Sequence, residues 1–157
     1  MSFPNDRTYS FDINLQLSDN AAAYAATGNL QVGGTDAVLD LGGLASQSPS
    51  QLARIDAMLI LDVTAITVSG TQTYQFDVQL SNDPGFGSGV VTAGGLQLGK
   101  GTSLRNTNSS DSVIGRYELG FCNQIAGTIY EFMRVALTAA NTPNISVSSF
   151  IAVLPEP

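Results

Sequence analysis

The run Gly94-Gly95-Leu96-Gln97-Leu98-Gly99-Lys100 satisfies the G-x-x-x-x-G-K part of a phosphate-binding loop, where main-chain amides cradle phosphates and the lysine reaches their oxygens. The pattern stops there. Gly101 stands where a Ser or Thr hydroxyl would hold magnesium, and Thr102 to Ser112 is polar and Asn-rich instead of opening an amphipathic helix. A glycine-rich β-loop is expected, not a nucleotide site. Asp36 with Asp40, and Asp19 with Asn20, offer oxygens to calcium, but neither pair follows the spaced acidic loop that ends in a bidentate Glu. These residues read as solvated turn carboxylates. Cys122 has no His or cation cluster beside it to lower its pKa and reads as a small core or boundary residue. Asn108-Ser109-Ser110 and Asn144-Ile145-Ser146 are formal glycosylation sequons, of a kind that a chain rich in Asn and Ser contains by chance.

Composition narrows the chemistry further. The 157 residues include 13 acidic and 6 basic side chains, one cysteine, no histidine and no tryptophan. Without His, the commonest general base, the commonest metal ligand and every imidazole dyad or triad are excluded. A single cysteine makes neither an intramolecular disulfide nor a thiolate zinc site. The acidic residues are mostly isolated, and no spacing selects a carboxylate pair for glycoside hydrolysis. No catalytic, cofactor or metal site is therefore expected, and the chain is read as a non-enzyme. Net charge is −7, and Arg7, Arg54, Lys100, Arg105, Arg116 and Arg134 never cluster, which argues against direct nucleic-acid binding.

Met1 to Asp6 shows no basic segment leading into an apolar run, so synthesis in the cytoplasm is expected. Val135 to Pro155 has about the length of a membrane span. It contains Asn141, Pro143 and Asn144, however, and reads as a strand pair with no membrane role.

The elements that must position these residues are strands. Tyr9, Phe11, Ile13, Leu15 and Leu17 alternate with polar residues, the period of a strand with one wet face. The alanine-rich stretch Asp19 to Ala26 suits one helical turn or a small-residue crossing segment. Leu30 to Val32 and Ala37 to Leu41 read as short strands around Gly33 and Gly34, and Ser46 to Gln51 as a loop. From Arg54 to Val68 the apolar parity changes after Val63, which a bulge near Thr64 reconciles. Tyr74, Phe76, Val78 and Leu80 point inward on the next strand, and the two are expected to form a hairpin. Beyond them come a glycine-rich strand around Val90-Val91 and Leu96-Leu98, then Arg116 to Phe121, Ile129 to Leu137 and Ile145 to Val153. About eight or nine strands at hairpin-like spacing, with no long helix, imply a single all-β domain built as an antiparallel jelly roll or β-sandwich.

Three segments carry a resemblance: Val38-Leu39-Asp40-Leu41-Gly42, Gln79 to Phe86, and the closing run Arg116-Tyr117-Glu118-Leu119, Tyr130 to Val135 and Thr142 to Val147. Over about residues 28 to 154 the chain resembles the capsid cement (decoration) proteins of tailed phages. The resemblance implies a jelly roll, placed at 9–157, and the residues ahead of it read as an N-terminal arm at 1–8. It also implies a non-enzymatic role on the outer face of an icosahedral phage head, bridging neighbouring major capsid subunits. The partners implied are the major capsid protein and further copies of the chain, as a dimer or trimer. Within the arm, Phe3, Pro4, Arg7 and Tyr9 form an apolar, singly basic segment and are the expected capsid contacts. The competing expectation is a carbohydrate- or receptor-binding β-sandwich of a virion, for which Tyr24, Tyr74 and Tyr130 are the available aromatic platforms.

Overall fold

The computed structural model describes residues 12–42, 53–104 and 110–154. They form an antiparallel β-sandwich of two principal sheets. In chain order the strands are β1 (Gln16–Asp19), β2 (Gly28–Asn29), β3 (Gln31–Val32), β4 (Thr35–Asp36), β5 (Leu39–Asp40) and β6 (Asp56–Ile66). There follow β7 (Thr73–Ser81), β8 (Val91–Gly99), β9 (Gly115–Cys122), β10 (Gln124–Ile125), β11 (Thr128–Ile129), β12 (Phe132–Ala140) and β13 (Ile145–Val153). One sheet runs β1-β13-β6-β9. The other runs β2-β12-β7-β8, with β5 alongside β2 against β12.

Long neighbours in the chain often lie in opposite sheets, and this corrects one expected hairpin and one expected strand pair. β6 and β7 do not pair: β6 lies between β13 and β9, and β7 between β12 and β8. β12 and β13 are likewise strands of different sheets, so the apolar stretch from Val135 is two strands but not a strand pair. In each case the two strands bury their apolar faces against each other's sheet across the sandwich.

The core fills that interface. Leu59, Leu61 and Val63 of β6, and Ile145, Val147 and Ile151 of β13, meet Tyr74, Phe76, Val78 and Leu80 of β7 and Met133, Val135 and Leu137 of β12. The bulge falls where the parity change required it, since Val63 pairs with Val147 and Ala65 with Ser146, leaving Thr64 as the extra residue. Val153, expected inward, is 40% exposed at the end of β13.

The described part of the first expected strand also differs. Asp12 accepts a hydrogen bond from the Asn14 amide and caps a single 3-10 turn, Ile13–Leu15, and strand pairing starts only at Gln16. A local side-chain bond here replaces the ladder. The alanine-rich segment is the crossing alternative rather than a helix: Tyr24 exchanges main-chain hydrogen bonds with Ile145 at 2.8 and 3.2 Å.

The phosphate-loop-like run is not a loop at all but most of β8, and its glycines have structural causes. A Cβ on Gly94 would sit 3.5 Å from Leu119 of the facing sheet. One on Gly95 would sit 2.5 Å from the Gln75 amide, which donates to Asp77 across the outer face. At Gly99, φ is +134° and a Cβ would lie 2.3 Å from the Gln72 carbonyl, so only glycine fits. Lys100 then pairs with Asp111 at 2.8 Å.

Candidate interaction site

Three segments distant in sequence meet at one corner of the second sheet. Leu39 pairs with Met133, which pairs with Leu80; Asp40 pairs with Phe132, which pairs with Ser81. These belong to Val38–Gly42, Tyr130–Val135 and Gln79–Phe86, which carry most of the resemblance described above. The corner is fastened by side-chain amides. Asn82 accepts the Glu131 amide proton at 2.9 Å and donates to the Ile129 carbonyl at 3.4 Å. Asn123 is fully buried, accepts from the Ile55 amide at 2.8 Å and donates to the Ala53 and Tyr130 carbonyls at 3.1 Å. Every polar atom of that buried amide group has a partner, as its burial requires.

The loop after β7 is folded by its own side chains. Asp83 accepts from the amides of Gly85 and Gly87 at 2.9 and 2.8 Å, and those N–H groups hold its carboxyl below the usual carboxylate range. Ser81 accepts from the Asp83 amide and donates to the Ser88 carbonyl. Folded back in this way, Phe86 is only 7% exposed, and the Arg134 guanidinium lies 4.4 Å over its ring. Arg134 also donates to Gln79 at 2.8 Å, which fixes the cation in place.

Between this loop and the β10–β11 hairpin lies an open cleft of about 400 Å³, lined by Asn82, Asp83, Ser88, Gly89, Thr128 and Tyr130. Its lining offers one ionised carboxylate, an amide, two aliphatic hydroxyls and one phenol ring. With a single carboxylate and no imidazole, these groups suit hydrogen bonding and stacking better than proton transfer. Among the described residues, no three His, Cys, Asp or Glu side chains are grouped to hold a metal ion.

Phe3, Pro4, Arg7 and Tyr9, like the whole arm 1–8, lie outside the described residues. The carboxylates weighed for calcium are engaged in hydrogen bonds, Asp19 and Asp40 with main-chain amides and Asp36 with side-chain amides. Asp19 accepts from the Gly33 and Ala21 amides, Asp36 from Asn29 and Gln31, and Asp40 from the Gly42 amide. Cys122 is half-buried, with its thiol 3.2 Å from the Gln124 carbonyl.

Of the three tyrosines, only Tyr130 reaches the cleft. Tyr74 is fully buried, and its hydroxyl lies 2.8 and 3.1 Å from the Thr67 and Asn144 carbonyls. Tyr24 bonds Ser18 and accepts from the Gln31 amide. The sequence marked Asn82 to Gly85 through the resemblance of Gln79 to Phe86, and gave no signal for the Asn123 clamp or the Arg134–Phe86 stack. No protein-family model matches this chain, and no curated protein does.

Proposed function

We propose that this chain is a non-enzymatic structural protein of a virion that binds the outer surface of an icosahedral phage head and stabilises it by bridging neighbouring major capsid subunits. The observation that carries the reading is the convergence at one corner: three of the segments that resemble cement proteins, Val38–Gly42, Gln79–Phe86 and Tyr130–Val135, meet there beside an open cleft. The strand order adds support, because the interleaving of β1-β13-β6-β9 over β2-β12-β7-β8 is what a jelly roll's two Greek keys generate. An acidic, sparsely charged chain also fits the outside of a DNA-filled shell, where a basic face has no phosphate to meet.

Mixing the purified chain with undecorated heads and measuring occupancy tests this. Saturable binding is expected, and heads should withstand higher temperature when decorated. No binding by the intact chain overturns the reading. Deleting residues 2–8 should lower occupancy with the melting temperature unchanged; full occupancy removes the arm from the contact.

Tyr130 in the cleft favours a second reading, a carbohydrate- or receptor-binding virion module. Glycan-array binding lost in Tyr130→Ala, with no affinity for heads, would put that reading first.

A further inference from the structure

The two principal sheets have four outer edges, and they are protected unequally. β1 is four residues long and ends in Asp19, while β2 and β5 are two-residue strands. β9 carries Arg116, bonded to Asp62, and Glu118. Short length and charge are the usual means by which an edge avoids pairing with another chain. β8 has neither: Val91–Gly99 is nine residues long without a charged side chain or a proline.

The bulge at Ala93, between the pairs Val78–Gly94 and Gln79–Thr92, leaves Gly94 to Gly99 in regular register. Thr92, Gly95 and Gln97 are exposed to solvent. At the far end the strand is closed by Ser112, whose amide donates to the Gly99 carbonyl and whose hydroxyl accepts from the Gly99 amide, both at 2.9 Å. Among the described residues, no loop donates to or accepts from the β8 main chain ahead of Gly99.

We infer that β8 is the edge through which two copies of this chain pair, antiparallel about a two-fold axis, extending the second sheet from one protomer into the other. The uncharged, self-complementary edge selects the occupant. Each copy carries a net −7, so like copies repel over most of their surfaces, and an uncharged edge is where they approach without that penalty. A two-fold contact also needs a surface complementary to itself, which an antiparallel strand edge provides through its own N–H and C=O groups. Gly94 and Gly95 carry no side chains to hold the incoming strand away.

Sedimentation equilibrium of the full chain, over a hundred-fold concentration range starting at low micromolar, tests the inference. A reversible species of twice the 16.4 kDa chain mass is expected. Gln97→Lys and Gln97→Glu each put a charge on the exposed edge and should weaken association by about tenfold or more, with far-UV spectrum and melting temperature unchanged. Thr92→Lys, on the same edge, supplies the answer if a Gln97 variant does not fold. A monomer across the whole range overturns the inference, as does a dimer that survives the charged variants. A monomer whose head binding is lost in Gln97→Lys assigns the edge to a shell subunit and overturns self-pairing. The inference does not depend on the head-binding reading: a dimer that ignores heads sinks that reading alone.

Discussion

The two ends of the sandwich are closed by different chemistry. At one end, where β6 leaves and β7 enters, the Tyr74 hydroxyl reaches out of the core, bonds the Thr67 and Asn144 carbonyls and accepts from the Asn144 amide at 3.0 Å. It ties the exit of one sheet to the entry of the other. Nearby, the Gly99–Ser112 and Lys100–Asp111 contacts hold the connection that follows β8. At the opposite end, amides replace the phenol: Asn123 and Asn82 clamp the main chain of two segments, Ala53 to Ile55 and Ile129 to Glu131, yet a cleft is left open beside them. One end is closed by a group anchored in the core. The other is fastened by side-chain amides without being filled.

Removing the amide clamp should break this comparison most severely. Asn123→Ala strips partners from the Ile55 amide and from the Ala53 and Tyr130 carbonyls, and an orphaned buried group costs about 1–3 kcal/mol. A loss of about 2–4 kcal/mol in urea unfolding is expected. Tyr74→Phe keeps the ring and its packing and removes only the hydroxyl, so about 1–2 kcal/mol is expected. If Tyr74→Phe proved the larger loss, the phenol would be the stronger fastening and the ranking of the two ends would be inverted.

The contrast between the ends was only partly legible in the sequence. The strands were readable wherever one face meets the core and the other meets water, as at Tyr74 to Leu80, and the bulge at Thr64 followed from parity alone. Which strands pair was not readable, because alternation states that a face is buried but not which sheet covers it. β6 and β7 show this: each has a buried face, and each buries it against the other's sheet. The candidate corner was invisible for a related reason. Its parts are a two-residue strand, a turn and an asparagine, and their meaning comes from long-range bonds such as Asn123 to Ile55. Even Asp12, a polar residue in a perfect alternating run, keeps Ile13–Leu15 out of the strand through a bond to Asn14 that periodicity does not register.

A smaller effect sharpens the account of the open end. Arg134→Ala removes the cation over Phe86 and its bond to Gln79, with an expected loss of about 1 kcal/mol. The more specific readout is hydrogen exchange. The Phe86 amide, bonded to the Asp83 carbonyl at 2.9 Å, should exchange faster along with the Gly85 and Gly87 amides, while exchange at Ser112 stays as it was. Faster exchange at both ends would mean that the ends are one cooperative unit.

The smallest effect separates the ends by the origin of their charge stabilisation. Asp83 at the open end and Asp111 at the closed end both titrate below the ordinary value of 3.8. For Asp83 the cause is the Gly85 and Gly87 amides; for Asp111 it is first the Lys100 ammonium and then the Gly101 amide. A carboxyl whose folded pKa is depressed contributes stability that is complete above its unfolded pKa and disappears as pH falls through the folded value. The melting temperature should therefore decline as the solution is acidified through and below pH 3.8, with Asp19 and Asp36 contributing in the same direction. Both groups are partly open to solvent, so each contribution is small. Salt distinguishes them. The ion pair to Lys100 is screened as ionic strength rises, whereas the short hydrogen bonds from Gly85 and Gly87 are not. Asp111→Asn should thus flatten the acid limb of the melting curve at low salt and change little at high salt, while Asp83→Asn flattens it at both. Equal salt sensitivity of the two variants would show that the closed end owes its charge stabilisation to the same main-chain amides as the open one.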